Sequence, residues 1–193
     1  MKDVATCWKD IVRQIQQARK VYLFFDFDGT LAPIAPRPEM VTLDASIKES
    51  LRRLSRSDKY VVGIISGRGL GDLRQMVGID GILYAGNHGF EVEGPGIIYV
   101  NPAAIMSRKV MESVSQTLAR ELRALPGAFV EDKVYSLSVH YRQCAKGDVL
   151  RVKDIVDQAT AHYRTEKQLR ATFGKKVVEI RPFADWDKGR IVE

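Results

Sequence analysis

Two aspartates, Asp26 and Asp28, stand two residues apart, directly after the apolar run Val21-Tyr-Leu-Phe-Phe25. A carboxylate that ends five apolar residues is uncommon as decoration. Gly29, just behind the pair, permits a sharp turn that a side chain would obstruct. At such a turn Asp26 can attack phosphorus as a nucleophile and form an aspartyl phosphate. Asp28 can protonate the departing oxygen and then take a proton from the attacking water. A hard cation such as Mg2+ prefers oxygen ligands of this kind and screens carboxylate from phosphate. The competing reading is a tight turn whose aspartates only cap backbone. The buried run before them favours chemistry.

A second polar turn, Ser66-Gly67-Arg68, follows the apolar run Tyr60–Ile65. A hydroxyl with free backbone N–H groups at a strand-to-helix turn makes an anion cradle. Arg68 can pair with phosphate bidentately, but a surface residue at a helix start, or a structural ion pair, is the preferred reading. Further on, strand alternation puts Tyr135, Leu137, Val139 and Tyr141 on one face and Ser136, Ser138, His140 and Arg142 on the other. The second face is rich in hydrogen-bonding groups. Glu179 and Arg181 share a face in the same way, opposite Val178 and Ile180. Acids and basic donors on such faces suit a ligand with many hydroxyls and one anionic group. Polar strand faces are also often merely wet.

The elements that must position these groups follow from periodicity. Strands are expected at 21–25, 60–65 and 81–85, with helices over 44–55 and 70–76 between them. That alternation predicts an α/β fold with a doubly wound, mostly parallel sheet, Rossmann-like, whose ligands bind beyond the carboxyl ends of the strands. Asp26, Ser66 and Asn87 each follow a strand end, so they are expected to meet. After Gly94 the pattern changes: a helix over 103–125, strands at 128–132 and 134–142, a helix over 148–165 and a strand at 176–181. This order predicts an inserted α+β cap domain over 95–182, between core segments 1–94 and 183–193. Asp187-Lys-Gly-Arg190 is expected to open a final helix.

The motif Asp26-Phe-Asp-Gly-Thr-Leu31 resembles the first motif of the haloacid dehalogenase superfamily. That resemblance implies Asp26 as nucleophile, Asp28 as general acid/base, and Mg2+ held by the Asp26 carboxylate, the Asp28 backbone carbonyl and an acid from a later motif. Ile64-Ile-Ser-Gly-Arg68 resembles the second motif, which implies phosphate binding by Ser66 and Gly67. Trp186-Asp-Lys-Gly189 resembles the third, which implies Lys188 against nucleophile and phosphate, where a fixed cation offsets transition-state charge. Three further segments resemble the trehalose-6-phosphate phosphatase family: Gly86-Asn-His-Gly89, Val130-Glu-Asp-Lys133 running into Ser136–Arg142, and Glu179-Ile-Arg-Pro182. The resemblance implies hydrolysis of trehalose 6-phosphate to trehalose and phosphate in trehalose biosynthesis. It points to Asn87, His88, Glu131, Lys133, Arg142 and Glu179 as substrate-binding residues. His140 reads as structural. It also raises a trehalose-phosphate synthase as a partner.

The family's fourth motif, an acidic Gly-Asp-Asp stretch, does not occur before Glu193. The sequence therefore reads either as a fragment or as a shortened relative with impaired chemistry. Two rival functions stay open: a non-catalytic sugar-phosphate-binding or regulatory module of a synthase, and a phosphatase for sucrose phosphate or mannosyl phosphoglycerate. The bulk properties are compatible with nucleic acid or a membrane surface and equally with an anionic small molecule. The chain has 193 residues, 45% of them hydrophobic, and a net charge of +6 with bases and acids interspersed. No nucleic-acid motif occurs, and no apolar run approaches the ~20 residues of a membrane helix. Met1 to Ala18 reads as an amphipathic helix packed on the core rather than a secretion signal. Cys7 and Cys144 are expected as free thiols in a reducing cytoplasm.

Overall fold

The apolar runs become three parallel strands in the computed structural model, which describes residues 4–192. After helix α1 (Val4–Gln17), β1 spans Val21–Asp26 and β2 spans Tyr60–Ile65, with helix α2 (Ala45–Ser55) between them. Helix α3 (Leu70–Val77) then leads to β3 (Leu83–Gly86). The Asp44 carboxylate caps α2 by accepting from the Ser46 N–H at 2.8 Å. Gly78, at φ 56°, ends α3 in the left-handed conformation that favours glycine. Phe27, Leu51, Val62, Ile64, Leu73 and Val77 fill the core between sheet and helices.

Register decides where the chemistry can gather. Asp26 pairs with Ile65, and Ile65 pairs with Ala85. The three strands therefore finish level, and Asp26, Ser66 and Asn87 emerge along one edge of the sheet. Gly63 lets β2 lie close to the Phe24 ring, since a Cβ there would stand 2.5 Å from Phe24 Cδ1.

The three expected strands form the parallel part, and an unexpected hairpin extends it. β4 (Glu91–Gly94) and β5 (Ile97–Val100) form an antiparallel hairpin that extends the first sheet in the order β1-β2-β3-β4-β5. The first sheet thus runs to Val100, six residues beyond the expected boundary at Gly94. The second sheet is wholly antiparallel, in the order β6-β7-β9-β8. It comprises β6 (Phe129–Asp132), β7 (Leu137–His140), β8 (Leu169–Phe173) and β9 (Val177–Pro182), packed under helices α4 (Pro102–Glu121) and α5 (Val149–Thr165). Pro102 opens α4, and Asn101 caps it through the Ala103 N–H at 2.9 Å. Leu137, Val139, Val178 and Ile180 are fully buried against these helices, each contributing about 1.5–3 kcal/mol. Alternation then turns Ser138, His140, Glu179 and Arg181 to the opposite face, toward the first lobe.

Three expectations differ from what forms. The strand predicted at 134–142 shortens to Leu137–His140, because Val134 adopts a left-handed φ of 72° and turns the chain. No helix opens at Asp187. Its side chain accepts from the N–H groups of Gly189 and Arg190, at 2.8 and 3.2 Å, and closes a turn instead. α1 forms, but Trp8 on its apolar face is 57% exposed, so the helix is only loosely seated; Met1–Asp3 lie outside the described residues. No helix among the described residues is long and apolar enough to cross a membrane.

Candidate active site

The end of β1 presents Asp26, and the turn after it is built for exposure rather than for continuing the strand. Gly29 sits at φ 84°, and its N–H donates to the Ala32 carbonyl at 2.8 Å. Asp26 Oδ1 accepts from Lys188 Nζ, a residue 162 positions away in sequence. Asp26 Oδ2 accepts from Thr30 Oγ1 at 3.5 Å. Both side chains of the Asp26–Lys188 pair stay about 40% exposed, at 41% and 39%. A carboxylate backed by a cation yet open on one side is placed to meet an incoming electrophile.

Asp28 is held quite differently. Arg68 Nε donates to Asp28 Oδ2 at 3.0 Å and Arg68 Nη2 to Asp28 Oδ1 at 2.8 Å, a two-pronged grip. Ser66 Oγ adds a bond to Asp28 Oδ2 at 3.2 Å. Arg68 Nη1 donates onward to Asp72 and to the Pro38 carbonyl, both at 3.0 Å. Arg68 is 5% exposed and lies over the Phe27 ring, 5.5 Å from its centroid. It is therefore a buried ion-pair hub, not a surface residue at a helix start. Its own desolvation opposes its charge, but the carboxylates of Asp28 and Asp72 outweigh that and raise its pKa. Ser66 is buried at 1% exposure and spends its hydroxyl on Asp28.

Between the lobes lies a cavity of about 390 Å³, into which Asp26, Asp28, Gly67, His88, Glu131, Lys133, Arg142, Glu179 and Lys188 all open. Pockets of ~300–1,000 Å³ suit small-molecule ligands. Two acid–histidine pairs face the cavity, one within the cap and one between the cap and the first lobe. Glu131 Oε2 lies 2.7 Å from His140 Nε2, and Glu179 Oε1 lies 2.5 Å from His88 Nε2. Burial pushes the Glu131 carboxyl up, but the His140 bond and the charges of Lys133, His140 and Arg68 hold it below its ordinary range. Glu179 behaves likewise: burial is outweighed by the His88 bond and by the charges of His88, Arg181 and Lys133. Between the pairs, Lys133 Nζ donates to the Gly67 carbonyl at 3.0 Å and to Ser138 Oγ at 2.8 Å. Arg142 lies at the rim and reaches the Lys175 carbonyl at 3.3 Å.

Two residues expected at the ligand stand elsewhere. Ser66 and Asn87 do not line the cavity. Asn87 is wholly buried, and its amide is engaged with Glu91, Ser136 and the Lys133 carbonyl. The ion-pair reading of Arg68 is the one that forms, and Arg68 and His140 both line the cavity as well. His140 also stacks on Phe129, with ring centroids 4.7 Å apart. Its alternation with Ser138 and Arg142 was the signal that placed it there.

Two oxygens at the end of β1 could hold a hard cation such as Mg2+. The bridge between Asp28 and Ala32 uses the Phe27 carbonyl and the Gly29 N–H, so it leaves the Asp28 carbonyl aside. That carbonyl and the Asp26 carboxylate give two hard donors, and Mg2+ commonly takes one or two carboxylates with phosphate oxygens and waters. Among the described residues, no group of three or more His, Cys, Asp or Glu side chains converges to grip a metal by itself.

The family model described as Trehalose-phosphatase matches residues 24–193. A trehalose-phosphate phosphatase of Mycobacterium tuberculosis is 40% identical over 177 residues, covering 90% of this chain and 43% of that protein. One from Mycobacterium marinum is 40% identical over 169 residues, covering 87% and 42%. The chain thus spans less than half the length of these curated relatives. Among solved structures, the C-terminal domain of Candida albicans trehalose-6-phosphate phosphatase superposes with a TM-score of 0.79 at 25% identity. The match covers 95% of this chain and 64% of that one.

Proposed function

This chain belongs to the trehalose-phosphatase family, and on that premise we propose that it hydrolyses trehalose 6-phosphate to trehalose and phosphate through an aspartyl-phosphate intermediate. The observation that carries this reading is the division of one cavity. Asp26 and Lys188 stand at its core end, Glu131, His140 and Glu179 stand on its cap wall, and His88 reaches Glu179 from the core side. The first end suits phosphate; the second suits sugar hydroxyls, which need acceptors and donors together.

Asp26 attacks phosphorus, and the bond from phosphorus to the sugar oxygen breaks. Lys188 has three donors, so it can hold the Asp26 carboxylate and a phosphate oxygen at once. The Asp26 carboxylate and the Asp28 main-chain carbonyl would hold Mg2+, which when bound would supply further charge neutralisation for the phosphate. Asp28 enters this step protonated, with one oxygen turned from Arg68 toward the substrate, and gives that proton to the leaving sugar oxygen. Water then attacks the aspartyl phosphate, Asp28 takes its proton, and phosphate leaves with Asp26 restored. Glu131, Lys133, Arg142, Glu179 and His88 hold the disaccharide. A reducing, cytoplasmic setting agrees with the free thiols of Cys7 and Cys144.

Phosphate release from trehalose 6-phosphate, sucrose phosphate and mannosyl phosphoglycerate tests the assignment. Preference for the first, abolished by Asp26→Asn, supports it. Preference for either of the others reassigns the substrate. Tight binding of trehalose 6-phosphate without turnover makes the chain a binding module.

A further inference from the structure

Three consecutive residues at the end of β3 adopt left-handed backbone: Asn87 at φ 49°, His88 at φ 59° and Gly89 at φ 89°. Glycine takes this conformation freely, whereas Asn and His do so at a cost that the surroundings must offset. The turn does one thing that a relaxed strand end would not. It aims two successive side chains at two different strands of the other lobe. Asn87 faces the turn between β6 and β7, and His88 faces β9.

Asn87 is wholly buried, and its amide bonds are spent within the protein. Nδ2 donates to Glu91 Oε1 at 2.6 Å and to the Lys133 main-chain carbonyl at 2.8 Å; Oδ1 accepts from the buried hydroxyl of Ser136. Glu91 Oε1 is itself fixed by the Leu70 N–H at 2.8 Å. The backbone of the same turn ties down the phosphate loop: Asn87 N–H donates to the Arg68 carbonyl at 2.6 Å and His88 N–H to the Ser66 carbonyl at 2.8 Å. The His88 ring lies so close over Gly67 that a Cβ there would stand 2.7 Å from it. One strained tripeptide therefore grips the loop 66–68 with its backbone and the cap with its side chains.

We propose that Asn87 is a positioning residue that sets the cap's sugar-binding groups in register with Asp26, acting through the main chain of Lys133 and the hydroxyl of Ser136. Fixing the Lys133 carbonyl fixes the start of the side chain whose Nζ reaches the Gly67 carbonyl and Ser138 in the cavity. The inference rests on the sugar-phosphatase reading for its kinetic readout, but not for its structural one.

The test uses the full protein chain with Asn87→Asp, Ser136→Ala and both changes together. Ser136→Ala removes a hydroxyl that donates to Asn87 and has no place in the cavity lining. Each single change should raise KM for trehalose 6-phosphate by about ten-fold, equivalent to about 1.4 kcal/mol of lost alignment. Turnover of p-nitrophenyl phosphate, which has no sugar to align, should stay at the wild-type level. The double variant should be no worse than the more severe single one, because both changes cut one chain of bonds. An Asn87→Asp effect that Ser136→Ala does not share overturns the proposal, since it traces the effect to a carboxylate placed beside Glu91 rather than to the shared chain of bonds. A lower Tm with KM unchanged also overturns it, since it leaves only a structural role. Amide hydrogen exchange over residues 133–138 should quicken in Asn87→Asp, and unchanged exchange overturns the coupling. That last readout needs no turnover, so a wild type inert toward trehalose 6-phosphate sinks the proposed function while the coupling is still judged.

Discussion

Arg68 shows what a single residue type decides in this site. Its planar fork spans both oxygens of Asp28 while its remaining nitrogen holds Asp72 and the Pro38 carbonyl. A lysine carries the same charge but presents a point, not a fork. Arg68→Lys should therefore leave Asp28 misaimed, lowering kcat about 100-fold, the size of a ~1 Å misplacement of a reacting group. KM should change little, because Arg68 bears on the acid rather than on the sugar; steady-state kinetics check both parts. Arg68→Ala should in addition cost about 1.5–3 kcal/mol of stability, the worth of hydrogen bonds to charged groups, measured by urea unfolding. An Arg68→Lys enzyme with unaltered kcat would remove Arg68 from the chemistry and leave it a stability residue. The two-residue spacing of Asp26 and Asp28 made both aspartates legible in the sequence. The grip of Arg68 was not, because Ser-Gly-Arg occurs at many helix starts and only the sheet register brings it to Asp28.

At the scale of elements, legibility followed burial. β2 forms over its expected range, and α2 and α3 within one residue of theirs, because their apolar patterns are strong and their ends carry caps. The β4–β5 hairpin and β8 went unread: Glu91-Val-Glu-Gly94 is half polar, and Leu169–Phe173 is short with an arginine inside. Strand alternation over 136–142 put Ser136, Ser138, His140 and Arg142 on one face, of which Ser138, His140 and Arg142 line the cavity while Ser136 is buried behind it; it did not show that Glu131 and Glu179 would each find a histidine. Glu131 lies beside β7, which carries His140, and Glu179 on β9 meets His88 from the first lobe. They carry a prediction about acid. Both carboxyls are held below their ordinary value of 4.5 in the folded protein. A group with a lowered folded pKa contributes stability above its unfolded value and loses it as pH falls through the folded one. The cap should thus weaken as pH drops below 4.5, and Glu179→Gln, which cannot titrate, should flatten that acid limb. Urea midpoints measured across this range decide it; equal slopes for wild type and variant would show that the His88 pair contributes nothing.

Across the whole molecule, the cavity is a seam between two separately packed cores. Its lining includes six basic residues, Arg68, Lys133, Arg142, Lys175, Lys176 and Lys188, against four acids, Asp26, Asp28, Glu131 and Glu179. The excess of basic residues, like the net charge of +6, attracts a dianionic phosphate. A ligand that touches both walls must stabilise both lobes, since unfolding either one destroys the site. Asp26→Asn lets trehalose 6-phosphate itself serve as that ligand, bound but not consumed. At one hundred times its Kd, the sugar phosphate should add about 2.7 kcal/mol. For a chain of this size that is a rise in Tm of about 5–10 °C, in one transition rather than two. Inorganic phosphate, which reaches only the core wall, should not join the melting of the lobes in this way. Adding Glu131→Gln and Glu179→Gln should remove most of the shift at the same sugar-phosphate concentration, because the cap wall then loses its charged acceptors. Calorimetry with both ligands distinguishes the cases: a shift confined to one of two resolved transitions would place the ligand on a single lobe and break the division of labour between Asp26 and the cap.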